Sequence, residues 1–234
     1  MALRLRNLCL ERGGRRLVDG LSLDLEAGAV LAVVGPSGAG KSSLLACLAG
    51  LIPALSGEVS YRGAGGDLLA PMGMRGRLGF VFQDLRLVPT ASLIDNVLAG
   101  RLGRHPFWRT WTGLPRQGEA QALHLLGALG IEALAARWAC EVSGGEQQRA
   151  ALARALFMEP AVILADEPVS ALDVDGAMRA LTVLRAEAKR LRAAVVCVLH
   201  DPPLVERFAD MALTIDPRFE AGFRVDAVAA AVGS

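Results

Sequence analysis

One short stretch limits the fold of this chain more than any other. Leu31-Ala32-Val33-Val34 runs straight into Gly35-Pro36-Ser37-Gly38-Ala39-Gly40-Lys41-Ser42, the pattern of a P-loop. The apolar run reads as a strand. Residues 43–51, apolar nearly all round, read as a buried helix. A strand that turns through glycines into a helix N-terminus is the context the pattern requires. Glycines let successive backbone N–H groups curve around phosphate oxygens without Cβ clashes, and the helix end adds a positive dipole. Lys41 then offers an ammonium to β- and γ-phosphates, and Ser42 offers a hydroxyl to Mg²⁺, with Ser43 next in the cradle. A glycine-rich turn that binds nothing is the alternative, and motif and context together argue against it.

The rest of the chain fits around that unit. Apolar runs at 3–10, 21–25 and 30–34 read as strands, with Gly13-Gly14 and Glu26-Ala27-Gly28 punctuated like β-hairpin connections. Further strands are expected at 57–61, 78–82, 161–165 and 194–199, and a last one at 211–215. Helices are expected at 144–158 and 176–191. Residues 92–139 show helical periodicity and no clear strand, so they read as a helical insertion. Strands alternating with helices, several too apolar to face water, predict an α/β fold with a mainly parallel sheet covered on both sides and an antiparallel β part at the N-terminus. The expected organisation is one domain over 1–234, its core built from 1–91 and 141–234 and a helical subdomain from 92–140. The tail 219–234 is rich in Ala and Val and suggests no role.

Composition removes several function classes. The chain has 234 residues, 53% of them hydrophobic and 21% charged, too apolar for a disordered segment. A net charge of +1 supplies no field for nucleic acid. No run approaches the roughly 18 apolar residues of a spanning helix, and no apolar region of signal-peptide type follows Arg4 and Arg6. Cys9, Cys47, Cys140 and Cys197 are scattered, which suits reduced thiols better than a zinc site or a disulfide frame. Arg holds nearly every basic position, leaving Lys41 and Lys189 as the only lysines, a weak hint that an ammonium is wanted at Lys41.

A second motif supports nucleotide chemistry. Val162-Ile163-Leu164-Ala165-Asp166-Glu167 is an apolar strand that delivers two acids at its C-terminal edge, where open α/β sheets bind ligands. Asp166 suits the metal or its water shell, and Glu167, pointing the other way, suits the attacking water. The two motifs say nucleotide hydrolysis without saying which kind. No Asn-Lys-x-Asp of the sort that reads guanine is present, which argues against a GTPase.

Ser143-Gly144-Gly145-Glu146-Gln147 narrows the field: it resembles the signature motif of ATP-binding cassette (ABC) ATPases, where Gln is usual in place of Glu146. Gln83 after a strand, Ser170-Ala171-Leu172-Asp173 beyond the acids, and His200 after a buried strand match that family's Q-loop, D-loop and switch histidine in order. The resemblance covers essentially the whole chain and implies a P-loop NTPase of ABC type. It implies ATP with Mg²⁺ as cofactors, the metal being held by Ser42, Gln83 and Asp166. Glu167 is implied as general base, His200 as a γ-phosphate contact, and Gln83 as a contact to metal or water that also couples. It further implies a homodimer in which Ser143, Gly144, Gly145 and Glu146 serve the ATP of the other copy. Where the family stacks adenine on an aromatic residue this chain has Arg12, either a guanidinium that stacks on a purine or a solvated turn residue.

A narrower resemblance lies in the insertion. Asn96-Val97-Leu98-Ala99-Gly100-Arg101-Leu102-Gly103-Arg104 followed by Pro106-Phe107-Trp108-Arg109 looks like the ATPase subunit of phosphonate importers. Arg101, Arg104, Arg109 and Arg116 with Phe107, Trp108 and Trp111 form either a surface that docks a membrane permease or, for the aromatics, a core closure. The resemblance implies a peripheral subunit on the cytoplasmic face of the inner membrane, integral permease partners, and an external solute-binding protein as an indirect partner. About twenty residues follow the strand at 211–215, too few for an ordinary regulatory domain. Open alternatives are an ABC ATPase for another solute (an amino acid importer or a lipoprotein exporter), a soluble iron–sulfur-assembly type, and a module that binds ATP without turnover.

Overall fold

Leu3, Leu5, Leu8 and Leu10 are buried along the first strand while the residues between them are not, so the chain opens as a strand with one face inward. The computed structural model describes residues 2–62, 66–74, 76–104 and 116–228. Strand β1 (Leu3–Arg12) turns through Gly13-Gly14 into β2 (Arg15–Leu25), pairing antiparallel from Arg12 with Arg15 back to Leu3 with Leu25. On its other edge β1 pairs antiparallel with β4 (Ser56–Arg62), and β5 (Leu68–Leu69) completes a sheet ordered β2-β1-β4-β5.

Residues 26–28 do not make a hairpin, contrary to the sequence expectation. The next strand, β3 (Val30–Val34), lies in a different sheet and is buried on both faces, so it takes parallel partners and not the half-exposed β2. That second sheet contains β6 (Leu78–Val81), β7 (Val162–Ala165), β8 (Ala194–Val198), β9 (Met211–Ile215) and β10 (Phe223–Ala227), in the order β10-β9-β3-β8-β7-β6. All its pairings are parallel except β9 with β10. The strand at 211–215 is therefore not the last. Phe223, Val225 and Ala227 alternate with Arg224 and Asp226 in the tail, and that period of two is an edge strand's.

The helices are α1 (Lys41–Leu48), α2 (Leu93–Leu98), α3 (Glu119–Ala128), α4 (Gly144–Phe157), α5 (Val174–Leu191) and α6 (Pro202–Phe208). Alternate residues of the central strands face two separate cores. Val30, Ala32, Ile163, Ala165, Val195 and Cys197 pack with α2 to α6, whereas Leu31, Val33, Val162, Leu164, Val196 and Val198 pack with α1 and the antiparallel sheet. The expected α/β fold, with a mainly parallel sheet, an N-terminal antiparallel part and a helical insertion, is what the chain adopts. Among the described residues no helix is long and apolar enough to cross a membrane.

Candidate functional site

The loop between β3 and α1 is shaped by how closely its backbone approaches other chain segments. A Cβ on Gly35 would lie 2.1 Å from the Ile215 carbonyl oxygen, and Gly40, at φ 109°, caps α1 with no side-chain hydrogen bond. Ser37, Gly38, Gly40, Lys41, Ser42 and Ser43 line a cleft of about 500 Å³, closed by Arg12, Arg15, Leu17, Gln83 and Glu167. Pro36 and Ala39 shape the loop from within it, the Ala39 N–H donating to the Pro36 carbonyl at 3.2 Å. The Lys41 ammonium is buried and donates to the Gly35 and Pro36 carbonyls, each at 2.9 Å. Burial pushes its pKa down, and the carboxylates of Glu167 and Asp166 oppose that shift.

The two acids stand at the C-terminal end of β7, as the sequence led us to expect. Asp166 is buried, and its Oδ1 has no hydrogen-bond partner among the described residues. Desolvation raises its pKa, with the Ser42 hydroxyl acting the other way. Asp166, Ser42 and Gln83 share a groove of about 410 Å³ beside the cleft. Among the described residues no group of three or more His, Cys, Asp or Glu gathers to hold a metal alone. One orphaned carboxylate oxygen, a hydroxyl and an amide oxygen fit Mg²⁺, which takes one or two carboxylates and fills its shell with phosphate and water.

Glu167 carries the more constrained backbone. Its φ is 53°, a left-handed value that a non-glycine residue keeps only where neighbours impose it. Two neighbours hold its carbonyl: the Gln148 amide on α4 donates to it at 2.7 Å, and the Ser170 hydroxyl at 3.1 Å. His200, just beyond β8, places Nε2 at 2.7 Å from Glu167 Oε1. An ionised carboxylate only accepts, so Nε2 is the protonated nitrogen in this contact.

The signature residues lie apart from this cleft. Ser143 caps α4, accepting from the Glu146 N–H at 3.3 Å, while the Glu146 carboxylate accepts from the Ser143 N–H at 2.7 Å and from its hydroxyl at 2.8 Å. These bonds hold the Glu146 carboxyl below its usual range. A Cβ on Gly145 would meet Leu172 at 3.0 Å and the Ala171 carbonyl at 3.1 Å, so the start of α4 packs on the segment Ser170 to Asp173. Within that segment Ser170 donates to the Glu167 carbonyl, the Ala171 N–H donates to Gln148, and Asp173 caps α5. Gln148 was missed in the sequence. A polar residue on the inward face of an Ala- and Leu-rich helix is the signal that would have found it.

Arg12 lines the cleft mouth and donates to Ser43 Oγ at 2.9 Å, and Arg15 and Leu17, not anticipated, stand beside it. The insertion string is mostly structural where described. Asn96 accepts from the Val88 N–H and donates to the carbonyls of Val88, Ala91 and Ser92. Arg101 does not join an exposed basic surface. It stacks 4.0 Å over the Phe157 ring, pairs with Glu159, and its side chain is only 17% exposed. Arg116 pairs with Asp95 and Glu119. The side chain of Arg104, and Pro106, Phe107, Trp108, Arg109 and Trp111, lie outside what the structure describes.

Comparison with known proteins gives a consistent answer. The model of the ABC transporter family matches residues 18–170. The chain is 43% identical over 214 residues to the phosphonates import ATP-binding protein PhnC of Hyphomonas neptunium, covering 87% of this chain and 81% of that one. It is 40% identical over 214 residues to the hypophosphite import ATP-binding protein HtxD of Stutzerimonas stutzeri, covering 90% of this chain but only 63% of that longer relative. Among solved structures, a dimeric ATP-binding cassette in a post-hydrolysis state with ADP and phosphate superimposes with a TM-score of 0.75 at 26% identity, covering 97% of this chain and 99% of that one.

Proposed function

Because this chain belongs to the ABC transporter family, we propose that it is the ATP-hydrolysing subunit of an importer for phosphonates or related phosphorus oxyanions, working on a separate membrane permease. The observation that carries the ATPase reading is the convergence of Lys41, Glu167 and Gln83 on one cleft, with His200 on the Glu167 carboxylate. The names of its relatives carry the cargo class.

The P-loop from Gly35 to Ser43 holds the triphosphate on backbone N–H groups, and Lys41 exchanges two neutral carbonyls for anionic phosphate oxygens. Ser42, Asp166 and Gln83 are the residues that would hold Mg²⁺, which would supply neutralising positive charge to the phosphates. Glu167 takes the proton of the attacking water. His200 occupies one of its carboxylate oxygens and so leaves the other for that water, close to where a γ-phosphate would lie. Arg12, at the cleft mouth and bonded to Ser43 Oγ, is the guanidinium available to stack on the adenine in place of an aromatic ring. Ser143 to Glu146 line no part of this chain's own cleft, and they serve the ATP of a second copy packed head to tail. Ser170 to Asp173 lie between the two halves of that sandwich. Closure drives the permease, and hydrolysis resets it.

On this reading the protein is peripheral, held at the cytoplasmic face of the inner membrane by the permease, with a solute-binding protein delivering cargo from outside and no role for nucleic acid. The test is growth of a strain lacking this chain on a phosphonate or on hypophosphite as sole phosphorus source, with phosphate as control. Loss on the first two, restored by the wild-type chain and not by Glu167→Gln, supports the function. Unimpaired growth on both, in a strain with no second importer, removes the cargo assignment and leaves the ATPase.

A further inference from the structure

The turn that follows Gln83 is held in a conformation it would not choose. Leu85 and Arg86 have φ of 55° and 47°, two consecutive non-glycine residues in the left-handed region. Two contacts fix the turn. From outside, the Arg86 side chain stacks 3.8 Å from the Phe82 ring centroid and reaches both Asp84 carboxylate oxygens at 3.3 Å. From inside, Arg154 on α4 donates Nη1 to the Arg86 carbonyl and Nη2 to the Leu85 carbonyl. A planar guanidinium presents two donors at a fixed spacing, which suits two adjacent carbonyls in a way that an ammonium does not. The stem of Arg154 is itself immobilised: a Cβ on Gly100 would lie 2.7 Å from the Arg154 carbonyl and 3.3 Å from its Cγ, so residues 99–104 press directly on that turn of α4.

Gln83 sits between the Phe82 ring and this turn, facing both the cleft of Lys41 and the groove of Ser42 and Asp166. We propose that Arg154 is a positioning residue of the ATPase site: its fork on the Leu85 and Arg86 carbonyls fixes the turn that sets Gln83 against Ser42 and Asp166, so that the helix begun by Ser143 and the Gln83 turn move as one unit. The inference rests on Gln83 belonging to the nucleotide site. It adds a residue about three turns along α4 from the signature, one that lines neither the cleft nor the groove. A side chain that only filled space at α4 would leave the turn as it is when replaced. A side chain that imposes a strained turn releases it.

Three variants of the full chain separate these cases: Arg154→Ala, Arg154→Lys, and Arg154→Ala combined with Leu85→Gly, with Leu85→Gly alone as control. The first readout is amide hydrogen exchange across residues 83–87, which requires no turnover and so stands even if the chain proves not to hydrolyse ATP. Arg154→Ala is expected to speed exchange there by roughly tenfold or more while the strands keep their protection. The second readout is the Mg²⁺ concentration giving half-maximal ATPase, expected to rise in Arg154→Ala by more than the ATP affinity measured without metal falls. Glycine in place of Leu85 adopts the left-handed conformation without a Cβ penalty and keeps the Arg86 stack on Phe82, so the double variant should recover toward the Leu85→Gly control in both readouts. Arg154→Lys keeps the charge and most of the volume but cannot fork two carbonyls, so it should resemble Arg154→Ala. It carries the comparison if the alanine variant unfolds. Unchanged exchange at 83–87 in both single variants at Arg154, or no recovery in the double variant, overturns the proposal.

Discussion

Helices α1 and α4 both start beside glycines, Gly40 as the cap of one and Gly144 as the first residue of the other, and they meet negative charge in opposite ways. The α1 N-terminus has Gly40 as its cap, no side-chain hydrogen bond and no acid in its first turn, so its N–H groups carry no internal counter-charge. The α4 N-terminus has Ser143 as its cap and Glu146 in its first turn, joined in a reciprocal capping box. A helix start that stabilises itself contributes to folding. A helix start left open stores that capacity for a ligand, and the Lys41 ammonium rests on the loop carbonyls of Gly35 and Pro36, ready to follow the charge. In one chain, then, similar Gly- and Ser-rich strings serve binding at one place and, within the monomer, stability at the other.

The largest effect that can break this contrast lies at the open helix and its neighbour. Glu167→Gln should lower kcat by roughly 10²- to 10⁴-fold, the usual worth of a general base, while ATP still binds. Gel filtration with ATP should then show a stable dimer, and a monomer with ATP bound would remove the base role from Glu167. Lys41→Ala should weaken ATP binding by roughly a hundredfold, since hydrogen bonds to charged groups are worth about 1.5–3 kcal/mol each. An unchanged affinity in a nucleotide titration would mean that α1 is not the anion site, and the contrast would collapse.

Smaller effects sharpen it from the α4 side. Ser143→Ala removes a side-chain cap and should cost about 1 kcal/mol, a drop of about 2–4 °C in melting temperature for a chain of this size. The same drop must appear without nucleotide, because the cap belongs to the isolated chain. Glu146→Gln keeps the capping geometry and loses only the charge, so its effect is the smallest. Hydrogen bonds from Ser143 lower the native pKa of Glu146, so its contribution is present in full above the ordinary carboxylate value and is lost as pH falls through the lowered one. The melting-temperature gap between wild type and Glu146→Gln should therefore close on acidification. A gap that widens at low pH would show that the carboxylate does not act through this cap.

The same division between local and distant causes decides what could be read from the sequence. The P-loop and the acids after β7 were legible because each is a short string at a strand end, where the local chain sets the chemistry. Gln83 and His200 are lone residues, and only the resemblance to ABC ATPases singled them out. Gln148 and Arg154 were not legible. Their partners lie 19 and 68 positions away, and nothing in a helix's own sequence tells which loop will pass its inward face. The Glu26–Gly28 connection reads as a hairpin because turn chemistry says only that the chain reverses, not which sheet it enters. β10 was hidden by composition, an Ala- and Val-rich tail masking its alternation, and Arg101 by charge, since a guanidinium over a ring buries its stem.

The turn before β10 has a consequence for anyone who trims or tags this chain. A Cβ on Gly222 would lie 2.5 Å from the Leu17 carbonyl oxygen, and the Asp19 N–H donates to the Ala221 carbonyl at 3.0 Å, so the tail braces β2 from behind. Leu17 is also a wall of the Lys41 cleft, its side chain 2.7 Å from where a Gly40 Cβ would stand. A fusion joined beyond Val228 leaves that brace in place. A stop codon after Ile215 keeps every phosphate-facing residue yet strips the backing from the wall they share, and nucleotide affinity should fall in a shortened chain whose catalytic motifs are all intact.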